Sequence, residues 1–203
     1  MDNSVALVQA YLRLNGYFTV SEFPVIAAMK GGGYRTATDL DILALRFPRA
    51  GRIAPAHGRR ATADEEHLDL DPALGANADH ADMIVGEVKE GRAMLNDAAT
   101  DAGVIRAALA AFGCCSRDEA PKIVESLLRD GTALLPIGHR IRYVVFAALG
   151  GAGGIYHAVS LGHVVDSMRS YISEHWEMLH HADSKDPAFG FLMTLAKAER
   201  GSP

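Results

Sequence analysis

The chain has 203 residues, 49% of them hydrophobic and 22% charged, with a formal net charge of −5. That length supports one sizeable domain, and the composition excludes a disordered or low-complexity chain. The negative balance argues against a protein whose whole surface binds nucleic acid, and no apolar run reaches the roughly 18 residues a membrane span needs. The opening Met1-Asp2-Asn3-Ser4 lacks the basic region of a secretory signal, so a cytoplasmic location with no membrane partner is expected. Cys114 and Cys115 are adjacent and make neither a disulfide framework nor a CxxC metal site.

In chain order, residues 4–14 set Val5, Leu7, Val8, Tyr11, Leu12 and Leu14 on one amphipathic helix, capped by Asn3 or Ser4 and ended by Asn15-Gly16. Tyr17–Val20 and Phe23–Ala27 read as a first strand, Gly31-Gly32-Gly33 as a break, and Asp39–Phe47 as a second strand. Residues 48–81 show little periodicity and are expected to form a long loop. Met83–Lys89 is the third strand. Two helices follow, over 100–112 and from Ser116 to about Arg129, the second opened by the capping box Ser116-Arg117-Asp118-Glu119. Strands over 141–147 and 156–160 lead to C-terminal helices over about 162–181 and 187–198. Three strands without intervening helices predict an antiparallel meander, and the helical crossover allows the next strand to run parallel. The expectation is one α/β domain over 1–203: a mixed sheet of about five strands flanked by helices, with a core over about 4–160 and a helical C-terminal part.

The charges inside the second and third strands carry the chemistry. In Thr38-Asp39-Leu40-Asp41-Ile42-Leu43-Ala44-Leu45, Asp39 and Asp41 share a face; in Met83-Ile84-Val85-Gly86-Glu87-Val88-Lys89, so do Glu87 and Lys89. Charges set into apolar strands are costly unless compensated. A divalent cation between Asp41 and Glu87, Mg²⁺ or Mn²⁺ by preference for oxygen ligands, would compensate them, with Lys89 beside it. A cross-strand ion pair on a wetted face is the competing use of the same residues. Arg46, Arg49, Arg52, Arg59 and Arg60 crowd one stretch, followed by Asp64, Glu65, Glu66, Asp69 and Asp71. This is either a solvated loop of mixed charge or an arginine-bearing loop that meets phosphates at the mouth of the site. His175, His180 and His181 lack zinc-ligand spacing.

The helix ending in Asn15-Gly16-Tyr17-Phe18, then Thr38-Asp39-Leu40-Asp41-Ile42-Leu43-Ala44, then Gly86-Glu87-Val88-Lys89 resembles the restriction-endonuclease-like superfamily, the PD-(D/E)XK nucleases. The resemblance spans about residues 4–95. It implies Mg²⁺-dependent hydrolysis of DNA phosphodiesters, with RNA as a second substrate class, metal on Asp41 and Glu87, and water positioned by Lys89. The chain departs from the pattern in having Leu40 where a Pro is usual and no Glu on the first helix. Gln9 on that helix, Glu22 on the first strand and Asp39 are the accessory candidates. The alternative is a catalytically inactive protein of the same fold that serves as an interaction module, its C-terminal helices forming a partner or homo-oligomer surface.

Overall fold

Helix α1 (Asn3–Leu14) opens with Asp2, whose carboxylate accepts the Ser4 amide at 2.8 Å, and buries Val5, Val8, Tyr11 and Leu12. The computed structural model describes residues 2–29, 31–54, 65–67, 70–150, 154–181 and 184–201, with the side chains of 52–54 and 65–67 left aside. Next come β1 (Phe18–Ala28) and β2 (Tyr34–Arg46), one antiparallel hairpin. The expected two-piece first strand is continuous, and β2 begins well before Asp39. Gly32 and Gly33 at its tip take φ of +88° and +84°, which suits glycine alone.

The stretch expected to be a long loop holds more order. β3 (Arg52–Ala54) pairs with β4 (Glu65–His67) in a separate two-stranded sheet, and Asp71 caps a 3₁₀ turn over Pro72–Leu74. Strands of three residues are too short to show a period, so pattern reading passes over them.

β5 (Asp82–Arg92) is followed by α2 (Ala102–Phe112) and α3 (Ala120–Asp130). The capping box forms in both directions ahead of α3: the Ser116 amide donates to Glu119 Oε2 at 2.8 Å and the Glu119 amide to Ser116 Oγ at 3.3 Å. Then come β6 (Thr132–Leu134), β7 (Arg140–Leu149), β8 (His157–Ser160), α4 (Leu161–Glu174), α5 (Trp176–Leu179) and α6 (Pro187–Arg200). The single long helix expected over 162–181 breaks at His175 into α4 and α5.

Among the described residues the main sheet has six strands, where about five are expected, in the order β1-β2-β5-β7-β6, with β8 also on β7. β1, β2 and β5 form the antiparallel meander, and the α2–α3 crossover delivers β7 parallel to β5, as the element order predicts. The sheet separates two cores. On one face Ile42, Ala44, Ile84, Val88, Val144 and Phe146 meet α1, α4 and α6; on the other Leu43, Met83, Val85, Ile141 and Tyr143 meet α2 and α3. The C-terminal helices thus complete the α1 layer. Among the described residues no helix is long and apolar enough to cross a membrane.

Candidate functional site

The ladder between β2 and β5 runs from Arg46 opposite Asp82 to Ile42 opposite Gly86, and there it stops. Gly86 sits at the tightest point: a Cβ there would lie 3.3 Å from Ile42 Cβ and 3.4 Å from its carbonyl oxygen. The next residues along are Asp41 and Glu87. Asp41 Oδ2 accepts the Val88 amide at 2.8 Å, a side-chain oxygen taking the place of the missing ladder carbonyl. That bond fixes Asp41 against β5.

Glu87 is 3% exposed. Its Oε1 accepts Lys89 Nζ at 2.5 Å and Asn96 Nδ2 at 2.7 Å. Burial lifts the Glu87 carboxyl above its ordinary value; the Lys89 bond opposes the rise and the Asp41 charge adds to it. Asp41 is thus near enough to act on Glu87 electrostatically. The structure brings Asp41, Glu87 and Lys89 together, as the strand period predicts. Among the described residues Asp41 Oδ1 and Glu87 Oε2 make no hydrogen bond.

The accessory candidates separate. Glu22 stands in β1 at the register position facing Asp41, flanked by Ser21 opposite Ile42 and Phe23 opposite Leu40. The register thus sets Glu22 level with Asp41, one residue beyond the last β2–β5 pair. Glu22 is exposed and has φ of 52°, which a non-glycine residue rarely adopts. Asp39 is exposed too, opposite Pro24 and further toward the hairpin tip. Gln9 is buried and donates to Ser21 Oγ at 3.3 Å on the α1 face of the sheet. Strand alternation sends Glu87, with Met83 and Val85, to the opposite face. Gln9 is a packing residue, separated from Glu87 by the sheet.

The arginine expectation needs correction. Arg46 is 1% exposed and donates to the carbonyls of Asn15 at 3.0 Å, Ala50 at 2.6 Å, Ala78 at 3.3 Å and Phe47 at 3.5 Å. It ties three main-chain segments together, at Asn15, Phe47–Ala50 and Ala78, and has no face left for a phosphate. It also faces Asp82, five residues before Glu87, so about 17 Å of strand separates the two ends. Arg49 is exposed beside Asp79 at 3.8 Å, a pair of little energetic weight. The side chain of Arg52, and Arg59 and Arg60 altogether, lie outside the described residues.

No protein-family model, curated protein or solved structure matches this chain. Among the described residues no group of three or more His, Cys, Asp and Glu side chains is arranged around one ion. A cation at Asp41 and Glu87 would have two protein carboxylates and fill its shell with water, a habit suited to Mg²⁺.

Two features escape the sequence. One is Asn96. The other is Asp71, which accepts Tyr11 Oη at 2.9 Å, His163 Nε2 at 2.7 Å and the Ala73 amide at 2.8 Å in a cleft of about 480 Å³ between α1 and α4. Burial works against the Asp71 anion, but the Ala73, His163 and Tyr11 bonds outweigh it and hold the carboxyl below its ordinary value. These partners lie 60 and 92 residues away in the chain, a distance no local pattern spans.

Proposed function

We propose that this chain is a metal-dependent nuclease of restriction-endonuclease-like type that hydrolyses DNA phosphodiesters. One juxtaposition carries the reading: Asp41 and Glu87 stand side by side where the β2–β5 ladder ends, with Lys89 bonded to Glu87. The element order of helix, antiparallel meander and helical crossover to a parallel strand supports it as well.

The donor set suits Mg²⁺ or Mn²⁺, held by Asp41 and Glu87. Such an ion, when bound, supplies Lewis-acid polarisation of a phosphoryl oxygen and lowers the pKa of a bound water. The residues do the rest. The Val88 amide and the Asn96 amide group orient the two carboxylates before any ligand arrives. The Lys89 side chain is 29% exposed beside the buried Glu87. There it can hydrogen-bond the attacking water or offset charge developing on the phosphate. Glu22, level with Asp41 in the register, is the accessory carboxylate of this reading.

A second reading, an inactive interaction module, draws on two observations. Asp41 already serves the strand by holding the Val88 amide, and the burial of Arg46 removes one member of the expected basic patch. Cleavage of single-stranded, double-stranded and branched DNA in Mg²⁺ decides between them. Asp41→Ala and Lys89→Ala are each expected to reduce the rate about 100-fold or more. Equal activity in wild type and both variants, or none in any, would leave the interaction module.

A further inference from the structure

Directly after β5 the chain crosses the Glu87 side of the sheet as a short strap, residues 93–101. Both ends are tied down. The Ala93 amide donates to the Leu149 carbonyl at 3.0 Å, and Tyr156 Oη donates to the Ala93 carbonyl at 2.7 Å. At the far end the buried Tyr143 Oη donates to the Ala99 carbonyl at 2.8 Å. Ala93 and Ala99 are themselves buried, at 6% and 2% exposure. Asn96 lies midway. Its carbonyl oxygen Oδ1 accepts the Ala99 amide at 2.6 Å, which fixes the side chain, and its Nδ2 donates to Glu87 Oε1 at 2.7 Å.

A neutral amide is well suited to this task. It bonds a carboxylate without neutralising it, whereas a second cation would compete with a metal. Because Asn96 and Lys89 both occupy Oε1, the other oxygen of Glu87 is left for a ligand. The outer partners of metal ligands act in this manner, and losing one typically costs about 10–100-fold in affinity.

We infer that Asn96 is a positioning residue, and the strap its mount, for Glu87 as a divalent-cation ligand. This rests on the metal reading above, and the test separates the two. Asn96→Ser keeps a short side-chain oxygen that can cap the Ala99 amide but cannot reach Glu87. Asn96→Ala removes both bonds. Mn²⁺ is titrated calorimetrically into the full chain, and thermal unfolding is followed without metal.

Asn96→Ser is expected to weaken Mn²⁺ binding about 10-fold while melting close to wild type. Asn96→Ala is expected to weaken Mn²⁺ as much and to melt lower. In a Glu87→Gln background, Asn96→Ser should add nothing, because the carboxylate it positions is gone. Wild-type Mn²⁺ affinity in Asn96→Ser, alongside weakened binding in Glu87→Gln, overturns the role of Asn96 and leaves Glu87 a ligand. Losses from Asn96→Ser and Glu87→Gln that simply add also overturn it. If wild type binds no Mn²⁺, or Glu87→Gln binds as wild type does, the metal reading fails and Asn96 with it.

Discussion

Three side chains converge on Asp82: Tyr17 Oη donates at 2.7 Å, Arg140 Nε at 3.0 Å, and Arg142 Nε and Nη2 at 2.9 and 2.8 Å. Burial opposes the anion there, yet the Arg142 bonds and charge, with help from Tyr17 and Arg140, hold the carboxyl below its ordinary value of 3.8. The native state therefore binds that proton less readily than the unfolded chain does. The resulting stabilisation is fully present above the ordinary carboxyl value and is lost as pH falls through the lower native value. Asp82→Asn should flatten this part of the acid limb of a stability-versus-pH curve. At neutral pH it should cost about 3 kcal/mol or more by urea unfolding, because Arg142 is left buried without its anion. Five residues along the same strand, Glu87 has one lysine and one amide as partners, and its carboxyl is pushed the other way. The contrast separates a carboxylate that locks the fold from the one that the proposed function would use as a metal ligand. The pairing of Glu87 with Lys89 was readable from the strand period of two. The burial of Arg46 was not, because the carbonyls it binds come from two separate loops and the residues just after its own strand.

Among elements, the α3–β6 corner is the least forgiving. Asp130-Gly131 reads as a helix stop in the sequence, and Gly131 does close α3 with φ of +69°. Its second constraint comes from another part of the chain: a Cβ would lie 1.5 Å from the Ile155 carbonyl oxygen. Main chain cannot yield as a side-chain tip does. Gly131→Ala should destabilise by about 2 kcal/mol or more, combining backbone strain with overpacking, as read from a shift in the urea midpoint at unchanged slope. Helix ends with caps and glycines were legible here, and so were the long apolar strands. The three-residue strands β3, β4 and β6 were invisible to pattern, since their existence depends on a partner rather than on their own residues. The break at His175 left no proline or glycine to mark it.

For the molecule as a whole, the layering assigns stability unevenly. β5 and β7 are covered on both faces, and Ile84, Val144, Val145 and Phe146 are fully buried. The outer part of the β1–β2 hairpin is open instead, with Ile26 at 57% and Tyr34 at 78% exposure. Hydrogen exchange should find the amides of 83–88 and 143–147 slowest and those of 26–29 and 34–37 fastest, by orders of magnitude. Comparable protection in the two regions would contradict this division. The topology itself was readable, because meander and crossover follow from which strands have helices between them. The sides to which the C-terminal helices pack were not, since that depends on the cores they complete.

The two margins of the sheet are unlike, and this affects how the protein behaves in a crowd. Along β7 the margin is divided between β6, against residues 140–142, and β8, against residues 144–147. Neither short strand offers a stranger much to zip onto. The opposite margin is β1, eleven residues long, with Phe18 and Val20 exposed. A strand of that kind is a template for edge-to-edge pairing with another chain. Midway along it stand Glu22, charged and bent into the left-handed region, and Pro24, which has no N–H to offer. These two residues act as gatekeepers, and Glu22 therefore has a reason to be where it is even with no ion beside it.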